Sequence, residues 1–485
     1  MEENQIGNSE SQTQDPLKET PKDEVSPAES NESQSAQSES TPHAPEIARI
    51  IPIDTFDIRQ LMQLDACTRC GECLNWCPVY DQDTREEIIP RTKVRDFKRI
   101  IRAQHGVVGR MVRNEKIAEP LRKMIRGIFR VPVVTDEMVK AFAVNLYECS
   151  TCGQCQAVCP ANLDTVDIWE KIRALIVSAG YGPLEPQVAL VKSVKAYDNP
   201  WQQPRAARTK WARRARKENL IPELPREIKK TKGKVLLFLG CTAVYDVNVR
   251  QIAINTVSIF EALDIDYGCL GAQEKCCASV MLRMGDPEFE RVASENISQF
   301  NSLGIDTLVT SCAGCYKTIK QDYPLVDKLN FEVLHTVEFL CRLMDNGKLT
   351  LPFPVERKVT YHDPCHLGRA AGVFDAPREV LRAIPGLELL EMERINEYSR
   401  CCGAGGGVKA GFPDIQAKMA QRRIKEAEST GADDLISACP FCFAGLQVGI
   451  KATNSHLIMN DVTSLVAKSL LGASAEEASQ IKKSA

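Results

Sequence analysis

The chain is expected to be α+β to α/β in class: a mostly helical, cysteine-bearing domain followed by two duplicated α/β domains. Two observations lead there. Helical periodicity dominates residues 55–200, for example RTKVRDFKRIIRAQHGVVGRMV and VDIWEKIRALIVSAG, whose apolar positions recur every three to four residues. From Lys234 onward, short β-rich runs (KVLLFLGC, TLVTSCAGC, VTYHDPC, DLISACPFC) alternate with helical segments such as DVNVRQIAINTVSIFEALD and PDIQAKMAQRRIKEAEST. The second set repeats the first, with corresponding cysteines offset by 124, 125 and 127 positions. Loops vary by a few residues while the cysteine register holds, as in a duplicated fold built around its ligands.

The chain has 485 residues, 44% hydrophobic and 26% charged, with a formal net charge of -3. That composition fits a globular protein with ample core, and the charge balance does not suggest nucleic acid as a partner. Residues 1–45 are acidic and polar, without cysteine or aromatic residues, and are expected to be a disordered tail. The expected order continues with a helical domain (55–200), a basic, proline-punctuated linker (201–233), two α/β domains (234–345 and 355–465) and a flexible tail (466–485). The linker is read either as a solvated charged helix or as a docking strip for an acidic partner or an anionic membrane. With no basic–apolar secretory start and no apolar run near the roughly 20 residues that span a bilayer, a reducing cytoplasm is expected. Closely spaced cysteines there more often hold metal than form disulfides.

Eighteen of the twenty cysteines fall into two patterns, each present twice. The first is C-x2-C-x2-C-x3-C-P, at Cys67, Cys70, Cys73, Cys77 and again at Cys149, Cys152, Cys155, Cys159. Three thiolates of such a run occupy three corners of a [4Fe-4S] cubane and the fourth reaches a second cluster. Cys67, Cys70, Cys73 and Cys159 are therefore expected to hold one cluster, and Cys149, Cys152, Cys155 and Cys77 the other. Gly71 and Gly153 allow the tight turns inside the runs. Zinc, which closes on four ligands, fits two complete runs poorly.

The second pattern joins Cys241, Cys276, Cys277, Cys312 and Cys315, and again Cys365, Cys401, Cys402, Cys439 and Cys442. Its spacing, Cys401-Cys402-Gly403 and the segment Tyr361-His362-Asp363-Pro364-Cys365-His366-Leu367-Gly368-Arg369 resemble the CCG domains of the heterodisulfide reductase catalytic subunit family. The whole chain resembles a fusion of that family's ferredoxin-like and catalytic modules, as in paralogues from anaerobic respiratory complexes. The first copy departs from the pattern, with Cys276-Cys277-Ala278 in place of Cys-Cys-Gly.

The resemblance implies that each set of five thiolates holds a noncubane [4Fe-4S] cluster, with substrate-facing chemistry at Cys365, Cys401, Cys402, Cys439 and Cys442. Ala278 leaves a noncubane cluster, an ordinary cluster, zinc or no metal at all open at the first site. The implied activity is that of an oxidoreductase subunit passing electrons to a thiol or disulfide, small or protein-bound. The implied donor is a membrane b-haem, quinone-reactive subunit or a soluble flavoprotein. The first of these would bring the chain to the inner face of the cytoplasmic membrane. A second resemblance, to iron–sulfur subunits of glycolate- or lactate-type dehydrogenase complexes, implies electron relay beside a flavoprotein. His362 and His366 are expected to protonate a nascent thiolate or to bond to backbone. The loop Gly403-Ala404-Gly405-Gly406-Gly407 lacks a phosphate-loop pattern, and close backbone approach to a cluster or substrate is expected. Cys341 is expected in core packing and Cys269 is a candidate substitute ligand.

Overall fold

The computed structural model describes residues 46–472. The tail at 1–45 and most of the expected C-terminal tail, 473–485, lie outside the described residues.

The first module is helical. Its central helix, Pro90–His105, starts with proline at its first position, where the missing N–H would be unpaired anyway. Its apolar positions Val94, Phe97 and Ile100 are buried. Phe97 stacks on Phe142 of helix Asp136–Tyr147, with ring centroids 6.0 Å apart. Trp169, Ile172 and Ile176 of helix Thr165–Ser178 complete this core. Each such buried side chain contributes roughly 1.5–3 kcal/mol.

The two α/β halves have the same topology. In the first, β1 (Val235–Leu237), β2 (Tyr267–Gly268), β3 (Thr307–Thr310) and β4 (Glu332–His335) lie in the order β2-β1-β3-β4, all parallel. In the second, β5 (Arg357–His362), β6 (Leu387–Leu390), β7 (Asp434–Ser437) and β8 (Ile458–Asp461) lie in the order β6-β5-β7-β8, also parallel. The strand order reverses between β1 and β3, and between β5 and β7. Open parallel sheets bind their ligands at the carboxyl ends of the strands flanking such a switch point. Cysteines leave those ends: Cys241 and Cys312 follow β1 and β3, and Cys365 and Cys439 follow β5 and β7. One continuous apolar core runs through both halves. Helix Gln251–Ala262 packs on helix Val462–Leu471, with Asn255 Nδ2 donating to Ser464 Oγ at 3.0 Å.

Two expectations are corrected. Residues 201–233 are not a solvated linker. Helix Lys210–Lys217 buries Trp211, Ala212 and Ala215, and Ile221 and Ile228 join the core of the first half. Main-chain bonds from Ile228 N to Cys269 O (3.0 Å) and from Cys269 N to Arg226 O (2.7 Å) bind the segment to the edge of the first sheet. Its charges had masked a small apolar face. The flexible tail expected from residue 466 is helical through Leu471, because Val466, Ala467 and Ser469 face inward.

The modules are joined by Arg173, a fully buried guanidinium of helix Thr165–Ser178. Nη2 donates to the carbonyls of Leu146 (2.8 Å) and Cys149 (2.6 Å), and Nη1 to those of Arg283 (2.7 Å) and Gly406 (3.0 Å). The guanidinium also sits 4.8 Å from the Tyr147 ring centroid. An unpartnered buried acceptor costs about 1–3 kcal/mol. Arg173→Met is thus expected to destabilise the protein by about 3 kcal/mol or more, read as a lowered urea midpoint by tryptophan fluorescence. An unchanged midpoint would remove Arg173 from this role.

Candidate functional site

The two ferredoxin-type runs fold alike. In each, the residue before the second cysteine (Arg69, Thr151) and the following glycine (Gly71, Gly153) have positive φ. Each glycine caps a short helix, Glu72–Trp76 or Gln154–Ala157, that carries the third cysteine. One concave site is lined by Cys67, Cys70, Cys73 and Cys159, and also by Cys155. A second is lined by Cys77, Cys149, Cys152 and Cys155. The fourth cysteine of each run thus faces the other run's trio. Burial pushes the Cys73 and Cys77 thiols up to about 11, and Lys93 is the nearest cation opposing this at Cys77. A set of converging, mostly half-buried thiols with no disulfide is a donor set suited to an iron–sulfur cluster, which would take it as thiolates.

In the α/β halves the ten thiols form one string. Within the first half the contacts run Cys241 to Cys276 to Cys277 to Cys315 to Cys312. Within the second they run Cys365 to Cys401 to Cys402 to Cys442 to Cys439. The strings meet where Cys312 touches Cys439, so the pseudo-twofold relation of the halves passes through that pair. Cys277 and Cys315 sulfurs are 3.3 Å apart, and Cys402 and Cys442 sulfurs 3.5 Å apart. The second cysteine of each adjacent pair is held well below the ordinary thiol range. The cause is hydrogen bonding from Cys276 and Cys315 to Cys277, and from Cys401 and Cys442 to Cys402.

Ala278 does not distort the first half. It adopts φ +59°, close to the +79° of Gly403, and each residue's N–H donates to the first sulfur of its pair, at 3.4 Å to Cys276 and 3.3 Å to Cys401. A side chain in this left-handed region costs about 1 kcal/mol. The departure from the pattern therefore changes strain and leaves the backbone path alike.

The second half touches the ferredoxin-type module at its cysteines. Cys152 meets Cys401, and Ser150 Oγ lies 3.6 Å from Cys401 Sγ. The glycine loop closely approaches this module's main chain, at the residues that carry the first cysteine of the second run. A methyl on Gly406 would lie 2.6 Å from Cys149 O and from Ser150 C. Arg369 donates through Nε to Cys152 O (2.8 Å) and through Nη1 to Ser399 O (2.5 Å), which ties the YHDPCHLGR segment to the same run.

His362 is buried and His366 half-buried, and desolvation pushes each imidazole down to about 3, which favours the neutral ring. His362 Nδ1 accepts from Arg423 Nε at 3.3 Å. One ring nitrogen of His362 and the sulfurs of Cys402 and Cys442 lie within 4.8 Å of one another, all buried, which adds an imidazole to the donor set. Cys341 is half-buried and packs against the core of the α/β halves, its thiol 2.8 Å from Glu379 Oε2. Cys269 is buried at the sheet edge beside Glu274, apart from the string described above.

Sequence reasoning missed Arg208. It lies in the supposed linker, yet it is buried, pairs with Glu274, donates to Gly240 O at 2.7 Å and points Nη1 at Cys241 Sγ, 3.7 Å away. A buried cation beside a thiol favours the thiolate that a metal requires. The only available signal was the basic composition of the segment.

A ferredoxin-type module seated on a duplicated cysteine-rich α/β pair defines an iron–sulfur oxidoreductase component. Residues 63–163 match the 4Fe-4S dicluster domain family, and residues 235–320 and 359–447 the cysteine-rich domain family. The chain is 38% identical over 415 residues to a subunit of the dihydromethanophenazine:CoB–CoM heterodisulfide reductase of Methanosarcina barkeri, covering 84% of this chain and 94% of that one. It is 31% identical to the EtfAB:quinone oxidoreductase of Syntrophomonas wolfei, over 81% of this chain and 56% of that one. It is 33% identical to a probable iron–sulfur-binding oxidoreductase, FadF, of Bacillus subtilis, over 70% and 48% respectively. The chain belongs to the heterodisulfide reductase family that the Methanosarcina protein represents. Its ferredoxin-type module carries two [4Fe-4S] clusters, and its cysteine-rich halves fit noncubane iron–sulfur sites.

Cys77→Ser and Cys159→Ser are each expected to damage the cluster bound mainly by the other run, because hydroxyl binds iron poorly. EPR of the reduced variants checks this, and damage confined to the substituted run would exclude the crossed ligand sets. Ala278→Gly is expected to raise stability by up to about 1 kcal/mol, offset in part by glycine's chain entropy. Denaturant titration of the variant against the parent measures it, and a clear loss of stability would contradict the strain at this position.

Proposed function

We propose that the chain accepts electrons at its ferredoxin-type module and reduces, or in reverse forms, an S–S bond at the junction of the two cysteine-rich halves. The observation that carries this reading is the single thiol string, joined at Cys312 and Cys439 and linked to the ferredoxin-type module through Cys401 and Cys152. Bound iron–sulfur clusters would supply one-electron storage and transfer along this arrangement. Cys67, Cys70, Cys73 and Cys159 would hold one cubane, and Cys149, Cys152, Cys155 and Cys77 the other. The two sets of five thiolates would hold the noncubane sites.

The reaction is RS–SR′ plus two electrons and two protons giving RSH and R′SH. Both S–C bonds persist, the S–S bond breaks, and each sulfur gains one electron and one proton. The Methanosarcina relative is named for a heterodisulfide and for dihydromethanophenazine. For this chain the corresponding substrate class is a disulfide, and the donor a partner protein carrying b-haem or flavin. A relay reading, favoured by the likeness to the EtfAB:quinone oxidoreductase, would pass electrons on without binding a disulfide.

Changes in the surroundings of metal ligands already cost roughly 10–100-fold, so loss of a ligand should cost more. Cys402→Ser is expected to lower viologen-linked disulfide reduction by more than about 100-fold while both ferredoxin-type clusters stay reducible. Cys276→Ser should be as severe, because both halves contribute to the junction. Full reductase activity in folded Cys402→Ser, or no disulfide turnover by the intact protein with its partners, would defeat the reading in favour of relay.

A further inference from the structure

Between the two ferredoxin-type runs the chain inserts a segment whose surface is built the wrong way round for water. Helix Glu119–Phe129 buries none of its residues. Leu121, Met124 and Ile128, which share one helical stripe, are 45, 54 and 66% exposed, while Arg122 and Arg126 are half-buried. The helix therefore turns its apolar stripe to solvent and its arginines toward the protein. Phe129 is exposed at its end, and the adjoining helix Val107–Arg113 exposes Val107 and Met111. Charge is concentrated here as well. Residues 91–130 hold thirteen Lys and Arg against three Asp and Glu, in a chain whose net charge is -3.

An outward apolar stripe bordered by cations fits a surface that is apolar inside and anionic at its face. We propose that this segment docks on the surface of an anionic phospholipid bilayer. Leu121, Met124, Ile128 and Phe129 would enter the boundary of the acyl region, and the surrounding cations, Arg110, Lys116, Lys123 and Arg130 among them, would lie at the headgroups. No helix among the described residues is long and apolar enough to cross the membrane, so the contact is peripheral. Acidic protein partners would match the cations but leave the apolar stripe uncovered, which is why the bilayer is the favoured occupant.

The placement has a functional side. Phe129 and Arg130 line a groove of about 390 Å³ together with Cys67, Arg69, Lys98 and Arg102. The end of the docking helix therefore stands beside the first ferredoxin-type run, whose Cys70 is exposed. Docking would set that run toward the membrane, where a lipid-soluble carrier or a membrane partner could deliver electrons. The lipid contact itself does not depend on the disulfide reading, since binding is measured without turnover.

The test uses the full-length protein with its clusters, sedimented anaerobically with vesicles of phosphatidylcholine alone or with about a quarter phosphatidylglycerol. Binding is expected to the anionic vesicles only, and to weaken as salt is raised. The double variant Leu121→Asp, Ile128→Asp should bind about tenfold less or weaker still, with unchanged cluster absorbance, because both positions are already in water. Failure of the parent to bind anionic vesicles would overturn the proposal. So would equal binding by the double variant, or protection of this face by an acidic redox protein and not by vesicles.

Discussion

Arg173 is the interaction on which the assembly depends. Its guanidinium is fully buried and finds its donors' partners in carbonyls of four origins: the helix before the second ferredoxin-type run, that run itself, the helix after Cys277-Ala278, and the glycine loop after Cys402. Burial pushes its pKa down, but guanidinium stays charged in any accessible range, so the cation must be met by dipoles. Those dipoles are main-chain groups at Cys149 or on the turns and helix ends that flank the cysteines in sequence. Fixing the arginine therefore fixes the cysteine loops, and a shift of any one module would strand a buried charge. The neighbouring ion pairs, Arg283 with Asp322 and Glu170, extend the same logic across the interface.

The two α/β halves are near copies, but they are not equivalent. Both place their first and fourth cysteines at the switch point of a four-stranded parallel sheet, and both hold the second cysteine of the adjacent pair as the favoured thiolate. The inequality comes from outside the repeat. Arg369 and the glycine loop carry the second half onto the ferredoxin-type run, whereas the first half receives Arg208 from the preceding segment at its Cys241. One half is thus joined to the ferredoxin-type module at its cysteines and the other is electrostatically supported.

What was legible in the sequence was what repeats locally. The cysteine spacings, the strand–cysteine junctions and the helices at 90–105, 165–178 and 413–428 all follow from short-range pattern. Long-range pairings were not legible. Nothing in RALIVS marks Arg173 as a clamp on carbonyls 110 and 233 positions away, and nothing near Gly406 names Cys149 as the backbone it approaches. The segment 201–233 was misread because its many charges outweigh Trp211, Ala215 and Ile228 in any compositional count, although those few side chains decide where it lies. His362 and His366 were placed correctly beside Cys365, but their protonation depends on burial, which spacing does not carry.

The meeting of Cys312 with Cys439 also defines how the protein would fail. Two thiols from different halves, held together by the fold and shielded while iron occupies them, become a reactive couple once iron is lost. Given an oxidant such as dioxygen, they would give up two electrons and two protons and close an S–S bond between the halves. That bond would staple the apoprotein in a compact form with its ligand positions consumed, so that added iron and sulfide could not rebuild the site until a reductant reopened it. Loss of metal in air would then be reversed only when a reductant accompanies the iron and sulfide. Assembly of the clusters has to keep ahead of oxygen from the moment the second half folds.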